Sequence, residues 1–137
     1  MQLREDVLRF LEEKRFAVLA TVNANGSPQQ TVMWYELRGD TIVMNTKRGR
    51  KKDRNLNRDP RASLCVEDEF RYVTLEGVIE FVEDPATAQA DIAALARRYH
   101  DPDKAEQMAR EVFASQERIT LLLHADRVDV HGFDGEE

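Results

Sequence analysis

Basic residues concentrate in one segment of the chain, from Thr46 to Arg61. Seven of the 20 lysines and arginines lie between Lys47 and Arg58, and Asp53 is the only acid among them. This window carries a charge of +6, whereas the other 13 bases and 25 acids give the rest of the chain −12, for a net charge of −6. A cationic segment on an acidic protein predicts a localised site for an anion.

The composition of this basic segment favours a compact anion over a nucleic acid. Its arginines can hold a phosphate through two hydrogen bonds, its lysines act as point charges, and Thr46 and Asn55 add neutral donors. It contains no aromatic residue for base stacking, and the acidic remainder of the chain would repel a long polyanion. A solvated charged surface is the alternative. The acid excess elsewhere, and Gly49 with its capacity for close backbone approach, favour a phosphate-bearing ligand.

Outside the basic segment, the sequence contains no recognisable catalytic or metal-binding pattern. Cys65 lies in an apolar stretch and is interpreted as a buried structural cysteine. The three histidines, His100, His124 and His131, lack metal-ligand spacing, so we expect no metal. There is no nucleophile elbow, P-loop or dinucleotide fingerprint. The catalytic residue is therefore unknown, and the pattern is typical of a protein whose bound redox cofactor carries the chemistry.

The length of 137 residues and the 42% content of hydrophobic residues predict one domain over residues 1–137. No apolar run approaches the roughly 20 residues of a membrane-spanning helix, and the charged N-terminus does not read as a signal peptide. A single cysteine excludes an internal disulfide. We therefore expect a cytoplasmic protein without a membrane partner, ending in a loose acidic tail at residues 134–137.

Hydrophobic periodicity predicts an N-terminal helix followed by short strands. The helix is predicted from Leu3 to the Lys14-Arg15 pair, and the strands at 16–22, 29–37, 41–46, 62–66, 70–82, 119–123 and 127–133. Tight turns join the first three strands, which predicts an antiparallel meander. The basic segment is predicted to hold one or two helical turns over 51–58, anchored to the core by Leu56.

Two helix-start signals interrupt the strands late in the chain. Asp84-Pro85 and Asp101-Pro102 each place an N-cap residue before a proline, which predicts a two-helix insertion over residues 84–115. Gly77 takes a position on the apolar face of its strand, which predicts a bulge, a barrel corner or a close backbone contact. Together these predicted elements indicate a mainly β fold, a six- to seven-stranded antiparallel barrel that is closed or nearly closed.

The order of these motifs resembles the pyridoxamine 5'-phosphate oxidase-like flavoproteins, whose fold is the FMN-binding split β-barrel. Within them the chain is most similar to the actinobacterial-type branch of oxidoreductases that depend on the deazaflavin coenzyme F420. The resemblance covers nearly the whole chain, and its most specific part is the basic segment. The motifs that carry it are the strand Ala17–Val22, the turn Asn25–Gln29, the segment Val32–Tyr35, the basic segment Thr46–Arg61 and the pair Glu76-Gly77.

The resemblance implies a homodimer with two cofactors in grooves between the subunits. It places the flat ring system against residues 29–34, the phosphate on Arg50 and Lys52, and hydride transfer at the ring, with no side chain acting as a nucleophile. Residues near the chain end and Phe70 would come from the partner subunit. The implied cofactor-binding set is Gln29, Thr31, Val32, Met33, Trp34, Asn45, Thr46, Lys47, Arg50, Lys51, Lys52, Asn55, Phe70 and His131.

Several functions remain open at this point. The first is an F420-dependent oxidoreductase acting on a conjugated small molecule, in which the surplus cations Lys47, Arg48 and Lys51 face the acidic tail of the cofactor. The second is an FMN-binding oxidoreductase of the same fold, and the third is a flavin- or F420-binding protein without turnover. A nucleic-acid module is the least favoured. Relatives often carry Pro-Val-Trp-Tyr where this chain has Val32-Met33-Trp34-Tyr35, which leaves the contacts to the ring open.

Overall fold

A computed structural model describes residues 2–134, and its centre is one seven-stranded antiparallel sheet. The helices are α1 (Glu5–Glu12), α2 (Lys51–Arg58), α3 (Pro85–Tyr99) and α4 (Pro102–Glu111), with a 3-10 turn at Phe113–Ser115. The strands are β1 (Ala17–Val22), β2 (Pro28–Met33), β3 (Glu36–Arg38), β4 (Thr41–Lys47), β5 (Arg61–Glu67), β6 (Tyr72–Val82) and β7 (Arg118–His131). Among the described residues, no helix is long and apolar enough to span a membrane.

The sheet curls so that its two edges come close together at one point. Its strand order is β2-β1-β5-β6-β7-β4-β3, so β2 and β3 form the opposite edges. Only Trp34 and Tyr35 separate these two strands in the chain. Three peptide steps span at most about 11 Å, so the two edges must lie within that distance where the chain crosses between them. The predicted split β-barrel is thereby confirmed, and the split lies at Trp34-Tyr35.

The predicted strand over 29–37 and the predicted three-stranded meander are wrong. β2 pairs with β1, whereas β3 pairs with β4 at the other edge of the sheet. The chain breaks at Tyr35 because its side chain is fully buried and its hydroxyl donates to the carbonyl of Leu11 at 2.8 Å. The Tyr35 amide donates to the hydroxyl of Tyr99 at 3.1 Å, outside the sheet. Tertiary contacts therefore override a continuous β-rich sequence.

Replacing Tyr35 with phenylalanine is expected to lower the free energy of unfolding by about 0.5–1.5 kcal/mol, because a buried hydrogen bond to Leu11 is lost at nearly constant volume. Chemical denaturation measures this change. Tyr72→Phe is the matched control. Because Tyr72 is 43% exposed, we expect this substitution to leave the free energy of unfolding unchanged. Equal effects of the two substitutions would contradict the proposed role of the Tyr35 hydroxyl.

The last two predicted strands form one continuous strand, β7. Glu76 pairs with Arg127 while Gly77 pairs with Ala125, so Asp126 is an extra residue in β7. This bulge lets one strand continue through residues 124–126, which separate the two predicted strands. The bulge and the close backbone contact predicted at Gly77 are confirmed. A Cβ atom there would lie 2.1 Å from the carbonyl oxygen of His124.

The interpretation of Cys65 as a buried cysteine is wrong. Strand alternation points Leu64 and Val66 into the core, which leaves Cys65 half-buried on the other face of β5. The predicted acidic tail lies outside the described residues except for Asp134, whose carbonyl accepts a hydrogen bond from Arg4 at 2.6 Å.

The helical insertion and the helix of the basic segment are confirmed. Asp84 and Asp101 cap α3 and α4 by accepting backbone hydrogen bonds at 3.0 and 2.9 Å. The α2 helix covers the predicted residues, and Leu56 is fully buried in the main core. The sequence order of cap, proline and apolar residues therefore determines these helices locally.

Candidate functional site

A pocket of about 230 Å³ lies beside the split in the sheet. The end of β2, strand β4, the start of α2 and the start of β7 form one part of its wall, and the helical insertion forms the other. The pocket brings together seven residues predicted from the sequence: Val32, Met33, Trp34, Asn45, Thr46, Arg50 and Lys52. It adds five that were not predicted: Ile92, Leu95, Met108, Phe113 and Arg118.

Three cations converge on this pocket from different elements. Arg50 precedes α2, Lys52 lies in its first turn, and Arg118 begins β7. Lys52 and Arg118 are only 7% and 8% exposed. Across residues 2–134, no carboxylate lies within 4.0 Å of the side-chain nitrogens of these three residues. Two buried cations and an exposed one, with no carboxylate partner, favour an anionic ligand.

Burial and neighbouring positive charge lower the pKa of two of these cations. Burial lowers the pKa of Lys52, and the charges of Arg50 and Arg118 lower it further. Burial lowers the pKa of Arg118 to about 10, with a smaller contribution from Arg50. Both shifts express the cost of holding like charges together away from water. A bound anion would offset that cost.

A neutral donor completes the polar side of the pocket. The hydroxyl of Thr46 is buried and has no hydrogen-bond partner within the described part of the chain. A buried hydroxyl without a partner costs free energy unless a ligand supplies one. The guanidinium of Arg118 is fixed beside it, because Nε donates to Asn45 at 2.9 Å and Nη1 donates to Gln116 at 2.8 Å. These residues fit a phosphate group that accepts several hydrogen bonds at once.

The apolar side of the pocket is an ordered aromatic wall. Trp34 stacks on Tyr99 with ring centroids 5.4 Å apart and an interplanar angle of 10°, and Tyr99 stacks in turn on Phe16. Phe113 meets Trp34 edge-on and lies 5.0 Å below the guanidinium of Arg118. Stacked rings of this kind hold Trp34 in one orientation, as a flat ligand would require.

The remaining predicted residues lie elsewhere. Lys51 and Asn55 line a second pocket of about 600 Å³ on another side of α2, together with Arg54 and Arg58. The Asn55 amide is fully used, because Nδ2 contacts Thr21, Asn23 and Gln29 and Oδ1 accepts from Arg58. Residues placed outside the first pocket are Gln29, Thr31, Lys47, Lys51, Asn55, Phe70 and His131.

Two of these residues lie far from the cations along the sheet. Phe70 is 80% exposed in the loop between β5 and β6, and His131 ends β7 and stacks on Tyr72. Neither lines the pocket of its own chain. A contact of either residue with a ligand in this pocket would require a second subunit.

The interpretation that Arg48 faces a cofactor tail is not supported, because its guanidinium is paired within the protein. Its guanidinium lies 2.9 Å from Glu83, 3.4 Å from Asp53 and 3.6 Å from Glu117. These carboxylates neutralise Arg48 and tie the start of α2 to the segments before α3 and β7. Arg48 is a structural residue, and the sequence could not reveal this because two of its partners lie more than 30 positions away.

A groove of about 520 Å³ is lined by parts of β1, β5 and β6 and by the bulge of β7. Its charged residues are Glu76, Asp126 and Arg61, and Arg61 is paired with Asp59 at 2.7 Å. The groove is mainly apolar and acidic, so it does not suit an anion. Within residues 2–134, no three His, Cys, Asp or Glu side chains form a group that could hold a metal ion.

The family model for pyridoxamine 5'-phosphate oxidase matches residues 3–132. The chain is 29% identical over 103 residues to an F420H(2)-dependent biliverdin reductase from Mycobacterium tuberculosis, covering 74% of this chain and 75% of the relative. A solved structure of a conserved hypothetical protein from Mycobacterium tuberculosis is 30% identical, with a TM-score of 0.81 over 96% of this chain and 85% of that one. A solved F420 reductase shares the fold, with 24% identity and a TM-score of 0.74 over 93% and 98% of the two chains.

Proposed function

The chain belongs to the pyridoxamine 5'-phosphate oxidase family, and on that premise we propose that it is an oxidoreductase that binds coenzyme F420 and transfers a hydride to or from a conjugated small molecule. One observation carries the proposal. Arg50, Lys52 and Arg118 meet at a pocket without a carboxylate partner among the described residues, beside the buried and unpaired hydroxyl of Thr46. A cofactor phosphate satisfies all four groups.

The protein contributes binding and orientation in this proposal. When bound, the deazaflavin supplies the hydride chemistry at its C5 carbon. Lys52 and Arg118 hold the phosphate from the buried side, and Arg50 closes it from the exposed side. Met33 and Trp34 limit where a flat ring can lie, and the aromatic stack behind Trp34 keeps that surface rigid.

A second copy of the chain is proposed to complete the pocket. Val32 is 68% exposed beside the pocket, so one wall of a ring site is open in the single chain. Phe70, with 80% of its surface exposed, and the stacked Tyr72–His131 pair are aromatic groups at the far end of the sheet. We propose that these groups cover the open wall of the partner's pocket in a homodimer.

Coenzyme F420 is favoured over FMN by the second group of cations. Lys51, Arg54 and Arg58 line the neighbouring pocket, and among residues 2–134 no carboxylate lies within 4.0 Å of their side-chain nitrogens. The glutamate tail of F420 would supply negative charge there, whereas FMN carries a single phosphate. The relative that is named as an F420H(2)-dependent biliverdin reductase supports the same choice. FMN-dependent oxidation and cofactor binding without turnover are the alternatives.

Titration of the purified protein with F420 and with FMN, each followed by fluorescence, separates these alternatives. We expect saturable F420 binding that is tighter than FMN binding. Tight FMN binding with no response to F420 would reject the cofactor assignment. Reduced F420 is then offered with biliverdin, quinones and enones. Tight binding without oxidation of F420 by any of them would favour a binding protein over an enzyme.

Replacing Lys51 with alanine is expected to weaken the binding of F420 that carries several glutamates by about two- to fivefold, the range for an exposed ion pair. Binding of FMN should not change, because FMN has no tail to reach the second pocket. Parallel titrations of both ligands measure this difference. Lys104→Ala on α4 is the control for loss of an exposed lysine. Equal weakening of both ligands would place Lys51 at the phosphate instead.

A further inference from the structure

A chain of buried polar side chains leads from the cation pocket into the helical insertion. Arg118 Nε donates to Asn45 Oδ1 at 2.9 Å, and Asn45 Nδ2 contacts Thr120 Oγ1 at 3.3 Å. Thr120 Oγ1 donates to Asp91 Oδ2 at 2.7 Å, and Asp91 Oδ1 accepts from Arg38 at 2.8 Å. Asn45, Thr120, Asp91 and Arg118 are each less than 9% exposed. We refer to these four residues as the relay.

We propose that Asn45 is a positioning residue, which aims Arg118 at the ligand phosphate under the control of Thr120 and Asp91, and that it does not bind the ligand itself. This inference rests on the proposed function. It differs from the assignment of Asn45 to the cofactor contacts, because the hydrogen-bonding capacity of Asn45 is directed to the protein.

The chemistry of the donors and acceptors gives the relay a single direction. The Asp91 carboxylate only accepts hydrogen bonds, so the Thr120 hydroxyl must donate its one hydrogen to Asp91. Thr120 can then only accept from Asn45, which turns Nδ2 of the amide toward Thr120. The carbonyl of Ala88 also accepts from Nδ2, at 2.9 Å, and demands the same orientation. Asn45 Oδ1 is therefore left to face Arg118.

This orientation leaves one part of Arg118 available to a ligand. Nε is held by Asn45, and Nη1 is held by Gln116 at 2.8 Å. Nη2 has no hydrogen-bond partner in the part of the chain that the structure describes. Because two of its three nitrogens are fixed, the guanidinium plane is set before the ligand arrives, which lowers the ordering cost of binding.

The relay also gives the helical insertion a role at the phosphate. Asp91 and Ala88 both belong to α3, and hydrogen bonds through Asn45 and Thr120 link them to Arg118 at the pocket. In β4 and β7, Asn45 and Thr120 are directly opposite each other in the ladder. The pairing of these two strands thus brings the relay residues together, and α3 fixes the direction of their hydrogen bonds.

A double-mutant cycle tests positioning against direct binding. Asn45→Leu is expected to weaken F420 binding about three- to tenfold, the range for one lost hydrogen bond. In the background of Arg118→Met, Asn45→Leu should cause less than about a twofold further loss, because Asn45 acts only through Arg118. A loss of the same factor in both backgrounds would overturn the proposal.

Thr120 supplies a second pair of variants if Asn45→Leu does not fold. Thr120→Val removes the hydroxyl at nearly constant volume, and Thr120→Ser keeps it. We expect Thr120→Val to weaken F420 binding about two- to fivefold and Thr120→Ser to restore wild-type affinity. Thr120→Val should have no further effect in the Arg118→Met background. Wild-type affinity for Thr120→Val, or loss in both Thr120 variants, would overturn the relay.

A readout on the protein alone separates failure of this inference from failure of the proposed function. The Nε–H signal of Arg118 in a nitrogen-15 NMR spectrum should exchange slowly with solvent in the wild type and faster in Thr120→Val. If the wild type binds neither F420 nor FMN, the proposed cofactor is wrong, and this signal still decides the relay. An Arg118 signal unchanged by Thr120→Val would overturn it.

Discussion

Replacing Lys52 with methionine is expected to weaken binding of the phosphate-bearing cofactor by about 1.5–3 kcal/mol, which is roughly 10- to 150-fold in Kd. Lys52 is 7% exposed and lines a pocket with two other cations, so solvent screens its charge less than that of a surface lysine. Methionine keeps most of the unbranched side chain and removes the charge. Fluorescence titration of wild type and variant with F420 measures the difference.

The control for this substitution is Lys104→Met, because Lys104 is an exposed lysine on α4 outside the pocket. Its affinity for the cofactor should equal that of the wild type. Arg50→Met is expected to weaken binding in the same direction as Lys52→Met. If both Arg50→Met and Lys52→Met bind the cofactor as the wild type does, the phosphate does not lie at this pocket.

The same charge makes the stability of the cofactor-free protein depend on pH. Burial lowers the pKa of Lys52 from 10.5, so between the lowered value and 10.5 the unfolded chain binds more protons than the folded chain. The free energy of unfolding contributed by this group therefore rises as pH increases through that window. Cofactor affinity should fall over the same range, because neutral Lys52 no longer attracts the phosphate. In Lys52→Met, the free energy of unfolding and the cofactor affinity should both depend less on pH in this range.

Residues that act within a local segment could be predicted from the sequence. The α2 helix begins and ends as predicted, and its anchor Leu56 is buried, because spacing, turn residues and a single apolar side chain determine a short helix. Arg50 and Lys52 meet Thr46 at one pocket for a related reason. Only a few residues of chain separate the end of β4 from the first turn of α2, so the geometry of that connection places all three.

Residues that depend on pairing between distant segments could not be predicted. Arg118 enters the pocket because β7 pairs with β4, which places Arg118 directly opposite Lys47. The sequence around Arg118 shows only a charged residue before an apolar strand. Likewise, the break at Tyr35 depends on Leu11 and Tyr99, which lie 24 and 64 positions away. The cofactor contacts of Phe70 and His131 remain predictions, since they require a second chain.

Replacing Gly77 with alanine is expected to destabilise the protein by more than about 4 kcal/mol, the range that marks a severe defect. A Cβ atom at this position would lie 2.1 Å from the carbonyl oxygen and 2.9 Å from the carbonyl carbon of His124. These are backbone atoms within the ladder of β6 and β7, so no side-chain rotation relieves the clash. Denaturant unfolding, or the yield of soluble protein if the variant does not fold, measures the effect.

Gly26→Ala separates this steric effect from the general cost of replacing a glycine. Gly26 has a φ of +88°, and a Cβ atom there would meet nothing within 4 Å. Its replacement should cost about 1–2 kcal/mol through backbone strain alone. A Gly77→Ala variant that is no less stable than Gly26→Ala would mean that β6 and β7 can separate at the bulge.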